Sequence, residues 1–341
     1  MRTTAVLAIS VVLCVSGAAG ARTHHARARR PAKTVEAPVS FDVNAVNNPA
    51  TQDEIKQGDA GNAVLRAEIL LDRQHFSPGE IDGRFGDNMR QTVLAFQKAR
   101  GLQADGEVDQ PTWAILNQDQ KPPLTQYTIT DADEAGPFVQ IPKDLDKQAK
   151  LDFAGYESPL EELAEHFHCS PKLLQTLNPD ADFSKSGTTI TVPDIGRTPL
   201  YASQAARVVV NKSCSCVEVL DSQNKVMAHY PATMGSHHDP LPLGKWKLDA
   251  PRMNPDFNYN PKLFWNAPAH DSKAHIRPGP NNPVGTVWIG LSKKHYGIHG
   301  TPEPSLIGKT ASHGCIRLTN WDANDLANLV TPGMEADLVA K

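Results

Sequence analysis

A thiol and two imidazoles lie close together near the end of this 341-residue sequence, in a stretch punctuated by glycine. Cys315 follows His313 by two positions, and His299 lies 16 positions before Cys315 (315 − 299). A thiol with a reference pKa near ~8.5 is only a few per cent thiolate at neutral pH, so a neighbouring histidine must take its proton or hold it as an ion pair. These residues predict a cysteine acyltransferase, with Cys315 as nucleophile and His299 as base.

Glycines beside both side chains supply the other groups that acyl transfer needs. Gly300 leaves a backbone carbonyl free to accept the second imidazole N–H of His299 and fix its tautomer, as the third member of a catalytic triad does. Gly314 has no Cβ and lets substrate approach the chain. The backbone N–H of Cys315, together with that of Gly314, can point at a developing oxyanion. The extended run 296–299 predicts a strand beside the one that presents the thiol.

Residues 296–300 and 312–318 resemble the signature of the L,D-transpeptidases, the YkuD-type cysteine enzymes that cross-link peptidoglycan. The likeness covers roughly residues 205–341 and includes the turns and strands expected at Gly235, 242–246, 278–285 and 307–308. It implies that Cys315 is the nucleophile, His299 the base and Gly300 the orienting carbonyl. It also implies substrate-binding positions at Ser312, His313, Arg317 and Tyr296.

Two features of this region leave alternatives open. The planar guanidinium of Arg317 can clamp a carboxylate of a stem peptide, or it can pair with Asp322 or Asp325. The run 249–270, which contains Trp265 and many Asn and Pro residues, departs from the shortest members of the family. We interpret it as an inserted loop or lid that shapes the pocket.

Three classes of function compete for these residues. In the enzyme interpretation, Cys315 attacks the carbonyl of the third residue of a stem peptide, releases the terminal D-alanine and passes the acyl group to an amine, which gives a 3→3 cross-link or attachment to a protein. With water as acceptor, the same site is an L,D-carboxypeptidase. A zinc site of His299, His313 and Cys315, with His295, lacks a close ligand pair and leaves the glycines unexplained. A non-catalytic wall-binding scaffold is disfavoured because nucleophile and base are both present.

We therefore expect an enzyme that needs no metal and no other cofactor. Its expected partners are the stem peptides and glycan of peptidoglycan, and the resemblance implies covalent inhibition by β-lactams of the carbapenem type. A net charge of −4 argues against a nucleic-acid partner.

The N-terminal residues indicate export. Residues 1–20 contain one arginine, an apolar run and then small residues, which predicts a secretory signal peptide, and the apolar run is too short to favour a stable membrane span. Residues 21–55 begin with a basic stretch and are predicted to be a flexible tether. We expect the mature protein in the periplasm or cell envelope, associated with the cell wall.

Export makes the cysteines informative, because a catalytic thiol must escape oxidation in such a compartment. If Cys315 is free, Cys169, Cys214 and Cys216 remain after the signal peptide is removed. Cys214 and Cys216 are two positions apart in a strand-like stretch, where a disulfide between them would be strained. Cys169 can pair with either, and the sequence does not choose between these patterns.

Two smaller modules precede the catalytic region. Residues 56–118 alternate helical patterns with Asp-Gly turns and resemble the three-helix peptidoglycan-binding domain, a small all-α fold. Residues 119–126, with a pair of prolines, are predicted to be a linker. A helical spacer that binds nothing is the alternative for the first module.

Residues 127–196 are predicted to form a small α+β segment. Ser158 and Ser170 each precede a proline and an apolar helical pattern, so each predicts a helix start. With a strand at 127–130 and another after the helices, the order resembles the glycan-binding LysM module. The stretch 131–157 between the first strand and the helices is unusually long, and a LysM-like spacer without affinity for glycan is the alternative.

Short β-rich runs dominate from residue 205 onward, with one helix expected after Asn320. This pattern favours a mainly-β, sandwich- or barrel-like catalytic domain over a parallel α/β sheet. The whole chain is therefore predicted to be multidomain: a three-helix domain, a LysM-like segment and a mainly-β catalytic domain.

Overall fold

The computed structural model describes residues 39–265, 267–268 and 271–341. The predicted signal peptide, and the predicted tether as far as residue 38, lie outside the described residues. None of the helices in the described ranges is long and apolar enough to cross a membrane.

The N-terminal described residues form helices around an apolar core. These helices are α1 (Val43–Asn47), α2 (Asn62–Arg73), α3 (Asp87–Arg100) and α4 (Gln110–Leu116). The Asp42 side chain caps α1, and Val46 within that helix is fully buried. Ile55 forms a bridge with Val108. The tether prediction is therefore wrong for residues 39–55, because the cap and these apolar side chains hold them against the helices.

The middle segment places helices between two antiparallel strands. Strand β1 (Leu124–Thr128) pairs with β2 (Thr189–Pro193). Between them lie α5 (Asp131–Ala135), α6 (Leu145–Gln148), α7 (Pro159–His166) and α8 (Pro171–Leu177). The hydroxyl groups of Ser158 and Ser170 cap α7 and α8, where the sequence predicts helix starts.

The predicted linker 119–126 is in part a strand, since β1 begins at Leu124 and not at Tyr127. The buried guanidinium of Arg73 donates to the carbonyl oxygens of Lys121 at 3.1 Å and Pro122 at 2.6 Å. These hydrogen bonds fix the chain before β1 and satisfy a buried cation.

The C-terminal region is mainly β, as the sequence predicts. Its strands are β3 (Ala205–Asn211), β4 (Cys216–Asp221), β5 (Val226–Pro231), β6 (Thr233–Met234), β7 (Gly244–Lys247), β8 (Arg252–Met253), β9 (Phe257–Tyr259), β10 (Ala274–Ile276), β11 (Val287–Gly290), β12 (Gly297–His299), β13 (Ile316–Arg317) and β14 (Glu335–Val339). One sheet has the order β5-β4-β3-β14-β7 and another β6-β13-β12-β11-β8, while β9 and β10 form a separate hairpin. Helix α9 (Asn320–Leu329) packs against β11 and β12, and apolar side chains of both sheets and α9 share one core. The arrangement is sandwich-like.

The three regions pack directly on one another. The N–H of Ser77 donates to the carbonyl of His229 at 2.9 Å, and the N–H of His229 donates to the carbonyl of His75 at 2.8 Å, so the chain after α2 extends the sheet beside β5. Ile81 forms a bridge with Cys169 of the middle segment. The helical module thus packs directly against the catalytic domain and against the middle segment.

The four cysteines within the described residues divide into one disulfide-bonded pair and two free thiols. Cys214 is bonded to Cys216, with their Cα atoms 5.3 Å apart. Cys214 lies in a turn before β4, where Ser215 has a φ of 50°, and not in the strand-like stretch that the sequence suggests. Cys169 and Cys315 are free.

Candidate active site

Two adjoining strands bring the thiol and the imidazole together. β12 and β13 are parallel, and their register pairs Ile298 with Ile316 and His299 with Arg317. Cys315 directly precedes β13, so it lies beside the start of β12. Its Sγ is 3.7 Å from the carbonyl oxygen of His295. Cys315 and His299 both line a cavity of about 950 Å³.

The hydrogen bond of His299 defines its tautomer. Its Nδ1 lies 2.7 Å from the carbonyl oxygen of Gly300. Because a carbonyl oxygen can only accept, Nδ1 carries the proton and Nε2 of the neutral ring keeps its lone pair. The ring also stacks on Trp288 of β11, with centroids 5.5 Å apart. His299 is thus held as a base in one orientation.

Burial keeps both reacting groups neutral at rest. It lowers the pKa of His299 to about 3, with a further contribution from the charge of Arg317 and an opposing one from the hydrogen bond to Gly300. Burial also raises the pKa of the Cys315 thiol, against the backbone of Gly297 and the charge of Arg317, which lower it. The cavity is therefore lined by a protonated thiol and a neutral imidazole, the resting states from which general-base catalysis starts.

Ser312 lies beneath the cysteine and not in the cavity. It is buried, its hydroxyl donates to the carbonyl of Cys315 at 2.5 Å, and the same oxygen accepts the N–H groups of Gly235 at 2.7 Å and Gly314 at 3.2 Å. The prediction of Ser312 as a substrate-binding residue is wrong, because Ser312 does not line the cavity and its hydroxyl is engaged in hydrogen bonds within the protein. Its hydroxyl fixes the loop that presents the thiol.

Gly314 is required by the backbone conformation. Its φ is 102°, and a Cβ at this position would lie 2.7 Å from Cε1 of Tyr296. Its N–H is directed at Ser312, which removes it from the predicted oxyanion hole. The N–H of Cys315 is the predicted donor that remains.

Tyr296, His313 and Arg317, for which the family resemblance implies a role in substrate binding, all line the cavity. The His313 ring packs edge-on against Phe264, with centroids 5.0 Å apart. Burial lowers the pKa of His313, and the charge of Arg317 adds to this effect. Phe264 belongs to the run interpreted as a lid, and it too lines the cavity.

Arg317 does not pair with the carboxylates considered for it. Asp322 and Asp325 bind Arg197 instead, at 3.2 and 2.9 Å. Within the described part of the chain, no carboxylate lies within ion-pair distance of Arg317. Burial lowers the pKa of its guanidinium. A cation that lines the cavity without an ion pair is suited to a ligand carboxylate.

Asn320 is a site residue that the sequence did not indicate. Its buried amide nitrogen donates to Glu165 at 3.0 Å and to the carbonyl of Pro280 at 3.1 Å, and its oxygen accepts the N–H of Thr286 at 3.2 Å. A Cβ on Gly300 would run into that same oxygen. Asn320 therefore packs against Gly300, whose carbonyl orients His299. The only feature of the sequence that could have indicated Asn320 is its position close after the motif, four residues beyond Ile316.

Potential metal ligands converge elsewhere. In the described ranges, the one set of three His, Cys or carboxylate ligand atoms within 4.8 Å of one another comes from Cys216, Glu218 and His229. Cys216 is part of the disulfide. The zinc ligands considered around Cys315 do not form such a set.

Comparison with known proteins agrees with this geometry. The sequence profile described as "L,D-transpeptidase catalytic domain" matches residues 205–338. "Putative L,D-transpeptidase YqjB" from Bacillus subtilis is 32% identical over 145 residues, which cover 41% of this chain and 73% of that protein. The chain belongs to the L,D-transpeptidase family. Its catalytic domain makes it a transpeptidase enzyme, as the cysteine and histidine pattern predicts.

Other comparisons concern longer parts of the chain or the helical module. "Putative L,D-transpeptidase YkuD" from Bacillus licheniformis is 28% identical over 181 residues, 52% of this chain and 92% of that protein. A crystal structure of an L,D-transpeptidase from Xylanimonas cellulosilytica aligns with 84% of this chain and 97% of its own chain, at 16% identity and a TM-score of 0.37. The profile described as "Putative peptidoglycan binding domain" matches residues 60–116, which agrees with the resemblance of the helical module. The LysM-like character of residues 127–196 stays a prediction.

Proposed function

We propose that this protein is an exported L,D-transpeptidase that forms a thioacyl-enzyme at Cys315 from peptidoglycan stem peptides and transfers the acyl group to an amine. The observation that carries the proposal is the 2.7 Å hydrogen bond from Nδ1 of His299 to the carbonyl of Gly300. It leaves Nε2 as the basic nitrogen in the cavity that Cys315 also lines. A buried neutral imidazole with one free lone pair is what activates a thiol that is itself protonated at rest.

Acylation of the enzyme follows from these groups. Nε2 of His299 takes the thiol proton as Sγ of Cys315 attacks the carbonyl of the third stem residue. The tetrahedral oxyanion is stabilised by the backbone N–H of Cys315. The carbon–nitrogen bond to D-alanine then breaks, and His299 returns the proton to the leaving amine. A thioester on Cys315 and free D-alanine result.

Transfer reverses the roles with a second substrate. An acceptor amine attacks the thioester, His299 takes a proton from it, and the carbon–sulfur bond breaks to give an amide and the thiol. An amine on a neighbouring stem gives a 3→3 cross-link, and an amine on a protein gives attachment to the wall. Water in the same place gives an L,D-carboxypeptidase. Arg317 is suited to bind a carboxylate of either substrate.

The other regions supply location. We propose that residues 1–20 direct export to the periplasm or cell envelope and that the helical module holds the enzyme on peptidoglycan. The middle segment would add affinity for glycan if its LysM likeness extends to function. A thiol that attacks a peptide carbonyl can also attack the strained amide of a β-lactam ring. We therefore also expect carbapenems to acylate Cys315.

Product analysis tests the proposal. The mature protein is incubated with a soluble stem tetrapeptide, and products are identified by mass spectrometry, with Cys315→Ala as the control. Dimers joined between third residues, together with released D-alanine, are expected. Release of D-alanine without dimers would assign the carboxypeptidase reaction. Unchanged tetrapeptide with the wild-type protein would contradict the proposed function.

A further inference from the structure

The catalytic cavity has a wall that comes from outside the catalytic domain. Three consecutive residues of the middle segment, Lys143, Asp144 and Leu145, line the same cavity as Cys315 and His299. They lie at the start of α6, inside residues 131–157. We call residues 131–157 the insertion, because they separate β1 from the helices α7 and α8 that complete the middle segment.

Backbone hydrogen bonds fix the insertion to the catalytic domain. The N–H of Ala154 donates to the carbonyl of Pro278 at 2.9 Å, and the N–H of Asn281 donates to the carbonyl of Ala154 at 2.9 Å. The side-chain amide of Asn281 also donates to the carbonyl of Gly155 at 3.0 Å. Gly279 has a φ of 146°, and a Cβ there would collide with the backbone of Ala154. The catalytic domain is thus shaped to receive the insertion at this place.

A second attachment lies next to the cavity-lining residues. The Ser272 hydroxyl donates to the carboxylate of Asp146 at 2.8 Å, and α6 packs against β10. The insertion therefore reaches the cavity beside the β9–β10 hairpin, whereas Cys315 and His299 reach it from β13 and β12. Its contribution is to the binding surface and not to the reacting groups.

The two charged residues of the insertion that line the cavity, Lys143 and Asp144, differ in whether they already have a partner within the protein. The carboxylate of Asp144 caps α6 and accepts the N–H groups of Asp146 at 2.9 Å and Lys147 at 3.3 Å. Lys143 is exposed, and within the described ranges it forms no ion pair. The hairpin side of the cavity carries carboxylates, among them Asp256 and Asp271, as well as Arg252. Lys143 is thus an exposed lysine of the insertion that lines the cavity and has no ion pair within the described part of the chain.

We infer that the insertion is a substrate-binding wall of the active site and that Lys143 binds a carboxylate of the stem peptide. This inference rests on the proposed function for the identity of the ligand. Stem peptides carry free carboxylates, and an ammonium group on a flexible stem can follow one of them while it remains partly hydrated. An interaction of this kind contributes to binding and leaves the chemistry at Cys315 unchanged.

Binding is measured without turnover in the Cys315→Ala protein, by calorimetric titration with a soluble stem tetrapeptide. Lys143→Glu should raise the Kd about fivefold and Lys143→Gln should raise it by less, because charge reversal adds repulsion to the lost attraction. Lys147→Glu is the matched control, since Lys147 is an exposed lysine of α6, four residues after Lys143, that does not line the cavity. Raising the ionic strength should weaken binding more in the protein with Lys143 than in Lys143→Gln.

A second readout separates binding from the integrity of the site. With Cys315 present, the rate of alkylation by iodoacetamide, a small neutral reagent, should be the same in Lys143→Glu and wild type. Equal Kd values for Lys143→Glu and Lys147→Glu would overturn the inference, and so would a fall in alkylation rate that matches the loss of binding. Absence of tetrapeptide binding to Cys315→Ala itself would also overturn it. If binding to Cys315→Ala depends on Lys143 but the wild-type protein turns over no tetrapeptide, the inference is supported and only the proposed function is contradicted.

Discussion

His299 keeps its Nδ1 proton, because that N–H donates to the carbonyl oxygen of Gly300. Burial and the charge of Arg317 both disfavour a second proton on the ring. The ring of His299 is therefore neutral over the whole physiological range, whereas an ordinary histidine with a pKa near ~6.5 would be partly protonated. In the resting enzyme the thiol of Cys315 is protonated, because burial raises its pKa.

Replacing the base tests this assignment. His299→Gln should lower kcat/KM for a stem tetrapeptide by about 10²–10⁴-fold, the usual contribution of a positioned general base, and should leave the fold intact. His237→Gln is the control, because His237 is exposed and lies outside the cavity. A loss no larger than that of the control would move the base elsewhere, with His313 as the next candidate.

Arg317 should also affect the pH dependence of the thiol. Its positive charge favours the thiolate and lowers the pKa of Cys315, so Arg317→Gln should move the midpoint of iodoacetamide alkylation against pH to a higher value. The sign is fixed, since removing a nearby cation can only disfavour the anion. Arg252→Gln, another arginine of the cavity, should move the midpoint less. A midpoint that stays in place or moves down in Arg317→Gln would contradict this account.

At the scale of elements, the site depends on parallel pairing of β12 with β13 and on the support of the turn after His299. The sequence predicted Cys315, His299 and Gly300, because their chemistry is carried by residues close together in the chain. It did not reveal the contact of Asn320 with Glu165, 155 positions apart, because no local pattern marks such a pair. It placed Ser312 by analogy with the family and not by its hydrogen bonds, and so gave it the wrong role.

Asn320 acts through Gly300 and is therefore a positioning residue. Asn320→Ala should lower kcat by about tenfold with little change in KM, because a small displacement of the base costs rate more than affinity. Loss of the amide also leaves buried polar groups without partners, at a cost of about 1–3 kcal/mol in the free energy of unfolding. The exposed Asn328 on the same helix gives the control, Asn328→Ala.

The NMR signal of the Nδ1 proton of His299 separates positioning from general destabilisation. It should change in Asn320→Ala and remain as in wild type in Asn328→Ala. A variant with an unchanged signal and normal kcat would show that Asn320 serves stability only.

At the scale of the whole molecule, the three regions share buried ion pairs. The fully buried Asp72 of α2 binds Arg197 at 2.6 Å and His168 at 3.0 Å, and Arg197 also binds Asp322 of α9. The sequence predicted the helical module and the catalytic domain in this order, but it placed a linker at residues 119–126 between the helical module and the middle segment. A proline-rich, polar stretch has the composition of a linker, and long-range pairs such as Asp72 with Arg197 leave no local signal.

Removing one member of this network tests the coupling. Asp72→Ala should lower the free energy of unfolding by about 3 kcal/mol, because it leaves the buried guanidinium of Arg197 undercompensated. Asp152→Ala, at an exposed position, is the control. Chemical denaturation followed by fluorescence and by circular dichroism measures both. If the modules were independent, Asp72→Ala would destabilise the helical module alone, and the two probes would give separate transitions.

The central claim is that Cys315 carries the acyl group of a stem peptide. The direct measurement is the intact mass of the protein, quenched shortly after it is mixed with a stem tetrapeptide, followed by peptide mapping. The account predicts an increase equal to the tetrapeptide acyl group without its terminal D-alanine, located on Cys315 and absent from Cys315→Ala. An adduct that persists in Cys315→Ala, or that maps to Cys169, Cys214 or Cys216, would contradict it.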